Sequence, residues 1–128
     1  MIKFFIAQIK NFWKTILCIV IIFILSFIPG KALDKFDLFD FKFQDLIVHF
    51  IMYAFFTYIF IKDLSLLKKS YFNQKRWWLV PLIVSLTIGL VTELTQWLFI
   101  PGRNGNILDF VINLSGTGTI ILSFRNFK

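Results

Sequence analysis

The side chains that could do chemistry in this sequence lie inside long apolar stretches. The ionisable ones are His49, Glu93 and Asp109, and the amides Gln96 and Asn113 accompany them. A histidine and two carboxylates can act as general acid or base, and with amides beside them they can hold a polar ligand. An ionised group in hydrocarbon costs about 2.5–3.5 kcal/mol even on a lenient scale, so each of the three is a candidate catalytic residue.

These residues recur at helical spacing. They form three stripes in which neighbours are three or four positions apart: Asp45, His49 and Tyr53; Gly89, Glu93 and Gln96; Asp109, Asn113 and Gly116. Such residues share one face of a helix. Because lipid offers polar groups no partner, we predict that the stripes face one another and enclose a polar pocket. Gly89, Gly116 and Gly118 are predicted to let helices approach closely.

Four apolar runs can position the stripes, and they cover residues 12–29, 46–61, 77–100 and 107–124. A membrane span needs about 20 residues, and Phe41 and Phe43 can lengthen the short second run. We therefore predict an all-α fold, an integral membrane bundle of four transmembrane helices in a single domain covering residues 1–128. Three helices with a re-entrant segment remain the alternative. A cleaved signal peptide is less favoured, because the first run lacks a small-x-small cleavage site.

The composition excludes several classes of protein. Of the 128 residues, 58% are hydrophobic and only 16% are charged, whereas a soluble domain has about 25% charged residues. A cytosolic globular enzyme and a disordered tail are excluded, and a single cysteine excludes a disulfide-stapled module. The basic residues lie between the apolar runs instead of clustering on a soluble face, so we predict no nucleic-acid partner.

The distribution of basic residues predicts the orientation. The N-terminal arm, the 62–76 loop and the C-terminal tail together carry ten Lys and Arg, and the 30–45 and 101–106 loops carry four. The positive-inside rule then makes both termini cytoplasmic in a multi-pass protein of the cytoplasmic (inner) membrane. In this orientation the polar pocket lies in the outer leaflet. Arg103 in the short loop above it can bind a phosphate or carboxylate through two parallel hydrogen bonds.

The chain resembles the VanZ-like family of membrane proteins, named for an accessory factor in resistance to the glycopeptide teicoplanin. The family patterns E-x-x-Q, P-x-R, D-x-x-x-N-x-x-G and D-x-x-x-H-F-x-x-Y appear here as Glu93 and Gln96; Pro101 and Arg103; Asp109, Asn113 and Gly116; and Asp45, His49, Phe50 and Tyr53. The resemblance covers about residues 45–120. It implies a role in the cell envelope and a link to glycopeptides, and it defines no reaction.

Three interpretations of the polar residues stay open. The favoured one is a site that binds or shields a lipid headgroup, a peptidoglycan precursor or a glycopeptide, contributing to teicoplanin resistance. Its ligand-binding residues are predicted to be Asp45, His49, Tyr53, Glu93, Gln96, Arg103, Asp109 and Asn113. The alternative is a membrane-embedded enzyme acting on a lipid-linked phosphate or cell-wall precursor, with Glu93 and His49 as acid and base. In the third, hydrogen bonds and ion pairs such as Arg103–Asp109 or His49–Glu93 only hold the helices together.

The sequence favours neither a metal nor a cofactor. Carboxylates and one histidine could supply ligands, but one histidine without a cysteine pair is a weak zinc signal. We therefore predict no metal site and no cofactor. Membrane lipids are the expected partners, a cell-wall precursor or glycopeptide follows from the favoured interpretation, and a homo-oligomer stays open.

Overall fold

The computed structural model describes residues 1–28, 44–67, 69–101 and 106–126, and this described part contains four long helices and no strand. The helices are α1 Ile2–Ser26, α2 Gln44–Leu67, α3 Leu79–Phe99 and α4 Ile107–Asn126, with a 3₁₀ turn, Tyr71–Asn73, between α2 and α3. The prediction of an all-α fold with four helices is confirmed.

All four helices are long and apolar enough to cross a membrane. Burial in the bundle is inverted relative to a soluble domain, since the described residues include twelve buried polar or charged side chains and ten buried hydrophobic ones. Large apolar side chains such as Leu90, Trp97 and Phe99 lie exposed on the outside. A water-soluble domain does the opposite and buries its apolar side chains. The chain is therefore built as a multi-pass membrane protein.

Two helices, α1 and α2, extend beyond the predicted apolar runs by more than two residues. The first run starts at residue 12, but α1 begins at Ile2. At 1.5 Å per residue its 25 residues are about 37 Å long, more than the roughly 30 Å hydrocarbon core, so its basic N-terminal part can project from the membrane. The second run ends at residue 61, but α2 continues to Leu67. The helix continues because the charged residue Asp63 is buried and accepts hydrogen bonds from Thr15 of α1.

The central helix of the bundle is α2, which packs most extensively on α4 and also contacts α1 and α3. Gly116 makes the α2–α4 contact possible, because a Cβ atom there would lie 2.5 Å from the carbonyl oxygen of Phe50. At Gly89 a Cβ atom would meet only side chains, the ring of Phe110 at 3.4 Å and Nδ2 of Asn113 at 3.7 Å. The prediction for Gly118 is wrong, since a Cβ atom there meets no described atom within 4 Å.

An aromatic cluster closes the end of the bundle where α2 ends and α3 begins. The hydroxyl of Tyr71 donates a hydrogen bond to the carbonyl oxygen of Trp77 at 2.6 Å. Phe72 packs edge-on against Trp77 and stacks on Phe124 of α4. Burial raises the pKa of Tyr71 to about 12, so the phenol stays neutral and keeps this hydrogen bond at physiological pH.

Candidate functional site

The predicted pocket residues gather at the end of the bundle where α2 and α4 begin, which we call the site end. There the ring nitrogen Nδ1 of His49 lies 3.0 Å from the amide oxygen Oδ1 of Asn113. His49 is 4% exposed and Asn113 is 1% exposed. The polar stripes of α2 and α4 therefore face each other, and the spacing argument is confirmed for this pair.

Two carboxylates lie beside this histidine. The Nε2 atom of His49 is 4.0 Å from Oδ1 of Asp45, one turn earlier on α2. One ligand atom each from Asp45, His49 and Asp109 lie within 4.8 Å of one another. The side chain of Asp45 is 60% exposed, whereas Asp109 is buried. Both aspartates lie in the first turn of their helices, where the helix dipole stabilises a negative charge.

The contact with Asn113 orients the imidazole ring. Oδ1 of Asn113 accepts a hydrogen bond only if Nδ1 of His49 carries a proton, and Nε2 on the other side of the ring lies toward Asp45. The Nδ2 atom of Asn113 is buried without a hydrogen-bond partner among the described residues. A buried amide with an unsatisfied group normally costs about 1–3 kcal/mol.

Glu93 lies on α3, near the start of α4. Its carboxylate oxygen Oε2 accepts a hydrogen bond of 3.0 Å from the backbone N–H of Asn106, and the side chain of Asn106 accepts one from the N–H of Leu108. Glu93 thus fixes the start of α4. The predicted ion pair between His49 and Glu93 is replaced in the structure by the contacts of His49 with Asn113 and Asp45.

An open groove between α3 and α4 runs beside Glu93. Its volume is about 260 Å³. It is lined by Leu90, Glu93, Leu94, Trp97, Asn106, Ile107 and Phe110. Leu90, Leu94 and Trp97 are exposed on the outer surface of the bundle, so the groove opens toward the surroundings of the helices. An apolar groove with one carboxylate can accept the apolar part of an amphiphile and a polar group next to it.

Two other predicted site residues have different partners. The hydroxyl of Tyr53 lies 3.3 Å from the hydroxyl of Thr92 on α3. The side-chain amide of Gln96 donates a hydrogen bond of 2.9 Å to the carbonyl oxygen of Ser26, at the last residue of α1. Tyr53 therefore extends the polar interior one turn below His49. Gln96 satisfies a carbonyl at the end of α1, which has no partner within its own helix.

Arg103 lies within residues 102–105, outside the described residues. The predicted contacts of Arg103 with a ligand or with Asp109 therefore stay predictions.

The sequence analysis missed the continuation of the α2 stripe. Thr57 is fully buried, and its hydroxyl lies 2.7 Å from the carbonyl oxygen of Tyr53, 3.1 Å from the hydroxyl of Thr117 and 3.4 Å from that of Ser85. A signal was available, since Thr57 follows Tyr53 at the same interval of four that joins Asp45, His49 and Tyr53. Polar contacts therefore extend from the site end into the middle of the bundle.

The sequence analysis also missed the buried carboxylate of Asp63. Asp63 is 2% exposed, and its Oδ2 atom accepts hydrogen bonds from the hydroxyl of Thr15 at 2.6 Å and from its backbone N–H at 3.3 Å. Asp63 follows Asp45 by 18 positions on the same helix, which places it about 27 Å away. It therefore joins α1 to α2 near the opposite end of the bundle and belongs to no part of the pocket.

Comparisons of the chain with protein-family models, with curated proteins and with solved structures gave no match. The protein is therefore classified by its fold and site alone. It is a four-helix multi-pass membrane protein with a cluster of ionisable and amide side chains at one end.

Proposed function

We propose that the protein is a small VanZ-like protein of the cytoplasmic membrane that binds or shields a cell-envelope ligand at its site end. The observation that supports this proposal is the meeting of Asp45, His49, Asp109 and Asn113 at the site end. An open apolar groove lies against Glu93 and the start of α4. Four polar groups on two helices exceed what one helix contact needs. Interhelical hydrogen bonds average well under 1 kcal/mol in measured cases, so packing alone gives little reason to gather so many of them.

The shape of the site favours an amphiphilic ligand. Pockets for drug-sized molecules have about 300–1,000 Å³, and the groove has about 260 Å³, so it accommodates part of an acyl chain. The polar part of the ligand would then meet Glu93, which lines the groove. A lipid headgroup, a lipid-linked cell-wall precursor and a glycopeptide with an acyl tail all have this chemistry, and teicoplanin is a glycopeptide of that kind.

The proposal requires the site end to face outside the cell. The excess of basic residues in the 62–76 loop over the 101–106 loop supports this orientation. We expect a cysteine replacing Asn104 to react with a membrane-impermeant reagent added to intact cells, and a cysteine replacing Ser70 to react only after lysis. Cys18 is the only native cysteine and is buried, so its replacement by alanine gives a clean background. The reverse labelling pattern would place the pocket in the cytoplasmic leaflet.

A membrane-embedded enzyme is the second candidate. It is supported by the arrangement of His49, whose Nδ1 is held by Asn113 while Nε2 is directed toward the pocket. General bases are commonly oriented by such a partner. In this case His49 would exchange the proton and Glu93 would be the second acid–base group.

A susceptibility assay tests the binding function. Wild type, Glu93→Gln, His49→Gln and the control Thr95→Ala are expressed at matched membrane levels in a glycopeptide-sensitive Gram-positive host. Thr95 lies on the exposed face of α3, where its hydroxyl bonds only to the carbonyl of its own helix. We expect protection against teicoplanin but not against vancomycin, which lacks the acyl tail. Thr95→Ala should retain this protection and His49→Gln should lose it.

Glu93→Gln separates binding from catalysis. Glutamine keeps the oxygen that accepts the hydrogen bond from Asn106, so binding should partly survive, whereas acid–base chemistry at this position should be lost. No protection by folded wild type would remove glycopeptides from the proposal. Wild-type protection in both His49→Gln and Glu93→Gln would remove the site itself.

A further inference from the structure

We propose that Asp45, His49 and Asp109 form a binding site for a divalent transition-metal ion at the site end. Their ligand atoms, two carboxylate oxygens and one imidazole nitrogen, lie within 4.8 Å of one another although they come from two helices. The sequence alone predicts no metal here, because one histidine without a cysteine pair is a weak zinc signal. This site is proposed in addition to the site for an envelope ligand, and binding of the metal can be measured without that ligand.

One of the three distances between the ligand atoms suits a shared ion, and all three are within 4.8 Å. Two ligands about 2.1 Å from one ion lie at most about 4.2 Å apart, and about 3.4 Å apart at a tetrahedral angle. The 4.0 Å between Nε2 of His49 and Oδ1 of Asp45 is within the first limit. Asp45 has a largely exposed side chain that can rotate inward, so it can complete the site without moving the backbone.

The hydrogen bond of His49 to Asn113 has the form found in metal sites. A histidine that binds a metal usually donates its other ring N–H to an oxygen atom, which fixes the ring and directs the lone pair of the ligand nitrogen at the ion. Here the oxygen is Oδ1 of Asn113, at 3.0 Å from Nδ1. Asn113 is 1% exposed and keeps this geometry although its own Nδ2 lacks a described partner.

Electrostatics also favours a cation at this point. One ligand atom each of His49, Asp45 and Asp109 converge on one space. The two carboxylates repel each other at this separation. A divalent ion replaces this repulsion with three attractions and neutralises the two carboxylates.

The donor set selects the metal. Imidazole together with carboxylates suits Zn²⁺ and Mn²⁺, whereas Ca²⁺ requires six to eight oxygen ligands. Three protein ligands leave at least one position for water or for an anionic group, as in open metal sites. The exposed carboxylate of Asp45 provides the path of entry.

Metal titration of the purified full-length chain in lipid nanodiscs tests the site. After treatment with a chelator, the protein is titrated with Zn²⁺, Mn²⁺, Ca²⁺ and Mg²⁺, and bound metal and thermal unfolding are measured. We expect one equivalent of Zn²⁺ or Mn²⁺ per chain and a higher unfolding temperature. Affinity should fall at least about 10-fold in Asp45→Asn and Asp109→Asn, since the loss of even an outer-shell partner costs about 10–100-fold.

Asp63→Asn is the matched control, because it makes the same change on α2 about 27 Å from Asp45. It should bind the metal as wild type does. The substitution at Asp45 changes an exposed side chain and leaves the fold intact, so its result is interpretable even if Asp109→Asn is unstable. Absence of binding by wild type, or equal affinities of Asp45→Asn and wild type, would overturn the proposal. Either result would leave the susceptibility assay of the envelope ligand unaffected.

A competing arrangement has protons on both ring nitrogens of His49, which makes it an imidazolium paired with the carboxylates. Since His49 is the only histidine in the chain, ¹⁵N-labelled histidine gives the spectrum of one ring. We expect Nδ1 protonated and Nε2 unprotonated, with the Nε2 resonance shifted by Zn²⁺. Two protonated nitrogens and a spectrum unchanged by Zn²⁺ would refute the metal site.

Discussion

Replacing Gly116 with alanine should push α4 away from α2 and disturb the His49 cluster one turn away. The new Cβ atom would lie 2.5 Å from the carbonyl oxygen of Phe50 and 3.1 Å from the backbone nitrogen of Ala54. A carbon atom normally stays about 3.3 Å from a carbonyl oxygen, so the helices must separate by about 0.8 Å. Both obstacles are backbone atoms, which cannot rotate aside.

The displacement reaches the site because Asn113 and His49 lie next to this contact. Their hydrogen bond of 3.0 Å would lengthen to about 3.8 Å if the helices moved as rigid bodies, which is beyond hydrogen-bonding range. Overpacking costs about 1–3 kcal/mol and the lost bond about 1 kcal/mol. Alanine gains about 1 kcal/mol over glycine in a helix, but Gly118→Ala gains the same. Relative to Gly118→Ala, the free energy of unfolding of Gly116→Ala should therefore be lower by about 2–4 kcal/mol.

Equilibrium unfolding in mixed micelles, followed by helical circular dichroism, measures this difference. Gly118 is the matched control, because it lies two residues further along α4 and a Cβ atom there meets no described atom within 4 Å. The ¹⁵N spectrum of His49 should also change in Gly116→Ala and remain unchanged in Gly118→Ala. Equal stability of the two variants would show that the backbones of α2 and α4 do not touch at Gly116, and the reasoning would fail.

Two further predictions concern the opposite end of the bundle. Asp63→Ala should lower the free energy of unfolding by about 1–3 kcal/mol, because the buried hydroxyl of Thr15 loses its acceptor. Asp63→Asn keeps an acceptor oxygen and should lose less stability. Equal losses in the two variants would contradict this role of Asp63. Burial raises the pKa of Tyr71 to about 12, so the folded state favours the neutral phenol. Its contribution to stability is complete below the usual pKa of about 10 and is lost as the pH rises toward 12. The difference in unfolding free energy between wild type and Tyr71→Phe should shrink over that interval, and a constant difference would refute the assignment.

The number of helices could be predicted from the apolar runs alone, but their ends could not. The second apolar run ends at Ile61, because the charged residues Lys62 and Asp63 are typical of the start of a loop. The helix continues because Thr15 of α1 satisfies the carboxylate of Asp63. A contact between residues 48 positions apart leaves no trace in local hydropathy.

Only part of the site could be predicted from the sequence. Spacing placed His49 and Asn113 on facing stripes, because polar groups in lipid must find one another. The partners of Gln96 and Tyr53 depend on how each helix is rotated, which spacing does not fix. Buried threonines such as Thr57 are harder to recognise from the sequence. Exposed threonines such as Thr87 make the same bond to the carbonyl four residues earlier in their helix, so this bond does not distinguish the two.

The pairing of α2 with α4 has a consequence for the synthesis of the chain. The second helix enters the membrane early, but Asn113 and Thr117, the partners of His49 and Thr57, arrive only with the last helix. Until then α2 carries polar side chains that lipid cannot satisfy. A chain interrupted before α4 therefore keeps His49 without Asn113 and Thr57 without Thr117 in the bilayer.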